Sequence, residues 1–167
     1  MSLHTKIQNG LLKDEDFESL TTEILNERDE NNNTAWHSAA RYGVLKSIPD
    51  ELFTIDALNQ KCNVGNTVWH TAAAFDSLKD IPTELFTAEA LAQKTKFGHS
   101  VWEVFSMCDT LKDVPQNLIT SDLLDMKNSC GGNMFKENDV EYINSVISDK
   151  LSFPAKIWNR LKVQIGL

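Results

Sequence analysis

Trp36, Trp69 and Trp102 stand thirty-three residues apart, and Phe135 falls at the next interval. Around them the chain reads NTAWHSAA (33–40), NTVWHTAA (66–73), HSVWEVFS (99–106) and NMF (133–135). Further columns keep the same interval with no insertion. They include Leu45, Leu78 and Leu111; Pro49, Pro82 and Pro115; Thr54, Thr87 and Thr120; and Lys61, Lys94 and Lys127. A fixed period of this size is the signature of an array whose units bury their apolar faces against their neighbours. The register also runs backwards, with His4 preceding His37 and Gly10 preceding Gly43. The units are therefore 1–28, which lacks an opening turn, then 29–61, 62–94 and 95–127, with the start of a fifth at 128.

Each unit reads as helical. Asn32, Gly65, Gly98 and Gly131 share a column, and Asn and Gly are the residues that tolerate positive φ in a tight turn. Two residues later stand Thr34, Thr67, Ser100 and Asn133, all favoured helix N-caps. A short helix such as 35–42 follows and ends near Gly43, which suits a C-cap. The paired alanines at 39–40 and 72–73 let helices approach closely. In the second half of each unit, Thr54, Thr87 and Thr120 read as further N-caps, with Asp56, Glu89 and Asp122 placed to favour the helix dipole. No unit carries a convincing alternating strand. The expected class is all-α, with hairpin-like turns between units.

The runs NNTAWHSAARYG (32–43) and GNTVWHTAA (65–73) resemble the ankyrin repeat, a 33-residue unit of turn, helix, loop and helix with a signature near G-x-T-P-L-H-x-A-A-x-x-G. The resemblance covers residues 1–135 and implies an ankyrin-like α-solenoid of about four repeats. There are departures. Ala35, Val68 and Val101 replace the signature Pro, Trp replaces the Leu, and Asp76 stands where the first match has Gly43. Glu103 replaces the His, and Phe105 fills a small-residue column. Pro49, Pro82 and Pro115 interrupt the outer helix, which is expected to split into two short helical pieces.

Residues 136–167 are expected to form a helical C-terminal cap. Val140, Ile143, Val146, Ile147 and Leu151 fall on one face at helical spacing. Phe153-Pro154 opens a second helix with Ile157, Trp158 and Leu161 inside and Lys156, Arg160 and Lys162 outside.

Sixteen Lys and Arg against twenty-four Asp and Glu leave a net charge of −8, which opposes direct binding of nucleic acid or anionic membranes. No apolar run approaches the ~20 residues of a membrane-spanning helix. The opening MSLHTKIQNG lacks the apolar stretch of a signal peptide. Cys62, Cys108 and Cys130 form no CxxC pair, so three free thiols in a reducing, cytoplasmic compartment are expected.

His4, His37 and His70 form one repeating column, an odd arrangement for catalysis. The resemblance implies that this His ties neighbouring turns together. Successive units about 10 Å apart cannot share a metal ligated at ~2 Å. Nucleotide-binding, zinc-protease, hydrolase and calcium-loop motifs are missing. Cys130 precedes two glycines, but the sequence offers it no base. No catalytic, metal or cofactor residue is expected.

The resemblance further implies that turn tips and the exposed side of the first helix line a continuous concave face. Carried over, those columns give Asn31, Asn33, Arg41 and Tyr42; then Val64, Asn66 and Phe75; then Lys96, Phe97, His99 and Met107. They also take in Glu30, Asn63 and Ala74. These columns vary while the framework columns repeat, as individual contact residues on a shared scaffold would. The expected function is a non-enzymatic, monomeric module that binds another protein through this face. Aromatics and Met favour interface centres; the bland alternative is that Phe75 and Met107 pack inward. Two other functions stay open: an acidic inhibitor or decoy acting on a nucleic-acid enzyme, and a regulatory fragment of a larger protein.

Overall fold

The computed structural model describes residues 1–150. Their class is all-α: helices and single turns of 3-10 helix, with no strand among the described residues. The N-cap columns set where each principal helix begins. Thr34 precedes α4 (Ala35–Arg41), Thr67 precedes α6 (Val68–Ala74) and Ser100 precedes α8 (Val101–Cys108). Thr67 and Ser100 accept from the backbone N–H three residues on, at 3.4 and 3.2 Å, satisfying donors that a helix start leaves orphaned. Earlier in the chain, α1 (Leu3–Gln8) is capped in the same way by Ser2.

The turn column is left-handed throughout: Asn32 at φ 61°, Gly65 at 84°, Gly98 at 87° and Gly131 at 82°. The residues after the principal helices are left-handed too, but only two of them are glycine. Gly10 and Gly43 are followed at the same interval by Asp76 (φ 56°) and Asp109 (φ 59°). Asp76, a departure from the repeat signature by sequence, therefore keeps the geometry of Gly43. A short polar side chain tolerates this conformation better than any branched one.

The principal helices pack in chain order, α1 on α4, α4 on α6 and α6 on α8. Ala39, Ala40, Ala72 and Ala73 are fully buried at these contacts. Trp36, Trp69, Trp102 and Phe135 are all buried, within one core that runs from Ile7 to Val146. Each large aromatic ring removes roughly 200 Å² from water, on the order of 5 kcal/mol of transfer free energy.

The outer layer is more broken than its sequence suggests. In place of two helical pieces, unit 29–61 has three: 3-10 turns at Leu45–Ser47 and Asp50–Leu52, then α5 (Ile55–Leu58). Ile48 and Pro49 are extended between them, at ψ 131° and 135°. The proline ring disfavours helix at the residue before it, and without an N–H it cannot continue a helix begun upstream. Unit 62–94 repeats this with Leu78–Asp80, Thr83–Leu85 and α7 (Ala88–Leu91). In unit 95–127 the third piece, Ser121–Asp125, is itself 3-10. Asp16 occupies the proline column of the first unit, and there the chain forms a true α-turn, α2 (Asp14–Glu18), before α3 (Thr22–Leu25).

Residues 137–150 are helical. Ile143 and Val146 are buried and Val140 and Ile147 pack against the core, so the expected inner face is in place. Leu151 and the expected second helix, with Phe153, Ile157, Trp158 and Leu161 and the basic Lys156, Arg160 and Lys162, lie outside the described residues.

Candidate functional site: a groove along the stacked turns

What holds the groove is a set of bonds between successive units. The His37 ring accepts from the Thr34 backbone N–H through Nδ1 (3.1 Å) and donates from Nε2 to the Asn66 carbonyl of the next turn (3.1 Å). His70 does the same with Thr67 (3.1 Å) and the His99 carbonyl (3.2 Å). His4 donates to the Glu27 carbonyl at 2.9 Å and accepts from the Ser38 hydroxyl at 2.8 Å. Burial, which disfavours the charged ring, pushes His70 down to about 4 and holds His37 below the usual imidazole range. Both rings are neutral near pH 7, as one acceptor and one donor nitrogen require.

The tips are joined through backbone. Asn63 N–H donates to the Asn31 carbonyl and Lys96 N–H to the Val64 carbonyl, each at 3.0 Å. Behind them Arg28 reaches the Lys61 carbonyl and Lys61 reaches the Lys94 carbonyl, each at 3.1 Å. Ser77 and Thr110 donate their hydroxyls to the carbonyls of Ala40 (2.9 Å) and Ala73 (3.1 Å), satisfying the last turn of the preceding helix.

The joint beyond unit 95–127 is built differently. Glu103, in the histidine column, can only accept. It takes the Ser129 backbone N–H (3.2 Å), the Ser129 hydroxyl (2.9 Å) and the His99 ring at 3.1 Å. Burial alone would raise this carboxyl; the donors from Ser129 and His99 outweigh it and hold the group below the ordinary carboxylate range. The same ring nitrogen of His99 faces both Ser129 (3.2 Å) and Glu103, so the imidazole does not bridge hydroxyl and carboxylate as a nucleophilic relay demands. The cluster ties two turns together. His99, expected as a contact residue, takes part in this joint and stays partly exposed.

A groove of about 870 Å³ runs between the tips and the exposed ends of α1, α4 and α6. It brings together seven of the expected contact residues: Asn31, Asn33, Arg41, Tyr42, Val64, Asn66 and Phe75. Asn33 donates its amide to Asp29 at 2.9 Å and so shapes the tip. Tyr42 and Phe75 are nearly half exposed, and the Arg41 guanidinium lies 5.2 Å from the Phe75 ring centre. Such a stack is worth about 0.5–1 kcal/mol at an exposed site. Phe75 therefore does not pack inward. Neither does Met107, which is 62% exposed, nor Phe97 at 71%. Lys96, Phe97 and Met107 lie beyond the groove proper, on the columns that continue it.

The floor also uses Thr5, Ser38 and Thr71, which the sequence argument missed. They too stand thirty-three residues apart, so the period could have revealed them. Among the described residues, no cluster of His, Cys, Asp or Glu is arranged to hold a metal ion, and no helix is long and apolar enough to cross a membrane. Cys62 is buried, while Cys108 and Cys130 are exposed; all three are free thiols. The sequence matches no family model and no curated protein.

Proposed function

We propose that the chain is an ankyrin-type α-solenoid whose groove and tips bind a partner protein, without chemistry of its own. The observation that carries this is the pair Tyr42 and Phe75, both left in water on a groove whose supporting side chains are bonded from unit to unit. Exposed aromatics of this kind on a rigid scaffold are what interface hot spots are made of. Buried histidines, capped helices and tip-to-tip bonds fix the surface beforehand, so binding loses little ordering entropy. The cytoplasm, where free thiols persist, is the compartment that fits.

The test begins with a partner obtained by crosslinking in the native host. Tyr42, Phe75 and Phe97 are then changed to Ala together. Binding should weaken at least a hundredfold while the circular dichroism and unfolding midpoint stay unchanged. Unaltered affinity with the fold intact removes this face from the function.

A further inference from the structure

Two surface columns turn from polar to apolar along the chain, and a third turns from acidic to basic. At the tips, Asn31 gives way to Val64 and then Phe97. On the helix ends, Arg41 gives way to Ala74 and then Met107. Beside the tips, Glu30 gives way to Asn63 and then Lys96. All nine are exposed, and the first two members of each column line the groove. One end thus carries Glu27 and Glu30, with Arg28 turned onto the Asn32 and Lys61 carbonyls and Arg41 laid over Phe75, while the other is apolar beside Lys96, with Lys136 paired to Asp109. From this gradient, and resting on the groove being a protein-binding face, we infer that its occupant is an extended polypeptide segment with a basic residue at one end and bulky apolar residues at the other.

The spacing follows from geometry. Neighbouring helices sit 8–10 Å apart, and an extended chain advances about 3.3 Å per residue, so each unit spans about three residues. The basic side chain faces Glu27 and Glu30. An apolar side chain about three residues away meets Phe75, and a second about six residues away meets Phe97 and Met107. The Ser38 and Thr71 oxygens, whose hydrogens go to His4 and the Thr67 carbonyl, can accept from the segment's N–H groups, and the outer N–H groups of Arg41 can donate to its carbonyls. Lys96 sets the direction, because it repels a basic residue placed at the apolar end. The net charge of −8 favours the same class of partner.

The experiment pans a displayed library of random nonapeptides against the full chain, then measures the selected peptides by fluorescence anisotropy. Enriched peptides should carry Lys or Arg about six positions from an apolar residue. Affinity should fall at least tenfold with Phe97→Ser/Met107→Ser and at least fivefold with Glu27→Gln/Glu30→Gln, and should weaken as salt rises. The double exchange Glu30→Lys/Lys96→Glu should select peptides of reversed polarity. A library that yields no binder, or binders without this pattern, overturns the segment chemistry. If such binders still respond to Tyr42→Ala/Phe75→Ala, the groove itself stands. If they ignore that pair, the protein-binding reading of the groove falls with it.

Discussion

The Phe105 ring packs edge-on against Trp102, with centroids 5.6 Å apart and planes at 82°. In the two preceding units the tryptophan's aromatic neighbour comes from the outer layer instead: Phe53 lies 4.8 Å from Trp36 and Phe86 lies 4.9 Å from Trp69. Ile119 occupies that outer column in unit 95–127, and Ala39 and Ala72 occupy the column of Phe105. One aromatic ring has moved from the outer layer to the inner helix while the tryptophan keeps a partner. Phe105→Ala should cost about 3–5 kcal/mol in urea unfolding. Adding Ile119→Phe should recover at least about 1 kcal/mol by rebuilding the arrangement of the two preceding units. Strict additivity of the two changes would show that the rings do not share a space.

A second expectation concerns two glycines with nearly the same backbone. A Cβ on Gly65 would stand 2.7 Å from the Lys96 backbone nitrogen, whereas one on Gly131 would meet nothing within 4 Å. Their φ values are 84° and 82°. Gly131→Ala should therefore cost only the left-handed penalty, roughly 1–2 kcal/mol. Gly65→Ala should cost clearly more, because it also breaks the Lys96-to-Val64 bond between tips. Equal unfolding midpoints for the two variants would refute the close approach.

The buried histidines set an acid limit. His70 and His37 have folded-state values below the unfolded ~6.5, so the unfolded chain binds more protons and acid favours unfolding. Their stabilisation is complete above pH ~6.5 and is lost as pH falls through each folded value, about 4 for His70. For His70 the loss is on the order of 3 kcal/mol. Urea unfolding at pH 7 and pH 5, with NMR titration of both rings, checks the sign; greater stability at pH 5 would contradict it.

Glu103 adds a lower window. Its carboxyl is held below the ordinary value, so its contribution is present above the unfolded value and lost as pH falls through the folded one. Glu103→Ala should cost about 1–3 kcal/mol at pH 7, since it strips the acceptor from Ser129. Glu103→His should recover part of this by donating to the Gly132 carbonyl, as His70 donates to that of His99. A Glu103→His variant no better than Glu103→Ala would show that the fourth turn does not follow the others.

Period, caps and turns were legible because each depends on short-range chemistry. A left-handed turn favours Gly or Asn, each principal helix starts after a hydroxyl, and a buried tryptophan recurs where the next unit needs one. Asp76 and Asp109 were not legible as left-handed, since Asp suits several conformations and only the fold selects this one. The outer layer broke into more pieces than expected because proline restricts two residues rather than one. The bonds of His99 were not legible for a longer-range reason: they depend on Glu103 and Ser129, which its own column does not predict. Tyr42, Phe75, Phe97 and Met107 were placed on the surface correctly by their columns.

The tips at Asn31, Val64 and their successors are joined by uncharged backbone, while the last joint depends on one ionised side chain, Glu103. Removing that side chain, as in Glu103→Ala, should therefore loosen the molecule first at the far end from Tyr42 and Arg41. Hydrogen exchange would then quicken around Ser129 before it does around Asn63. A protein arranged in this way could shed its closing turns and still offer its opening ones to a partner.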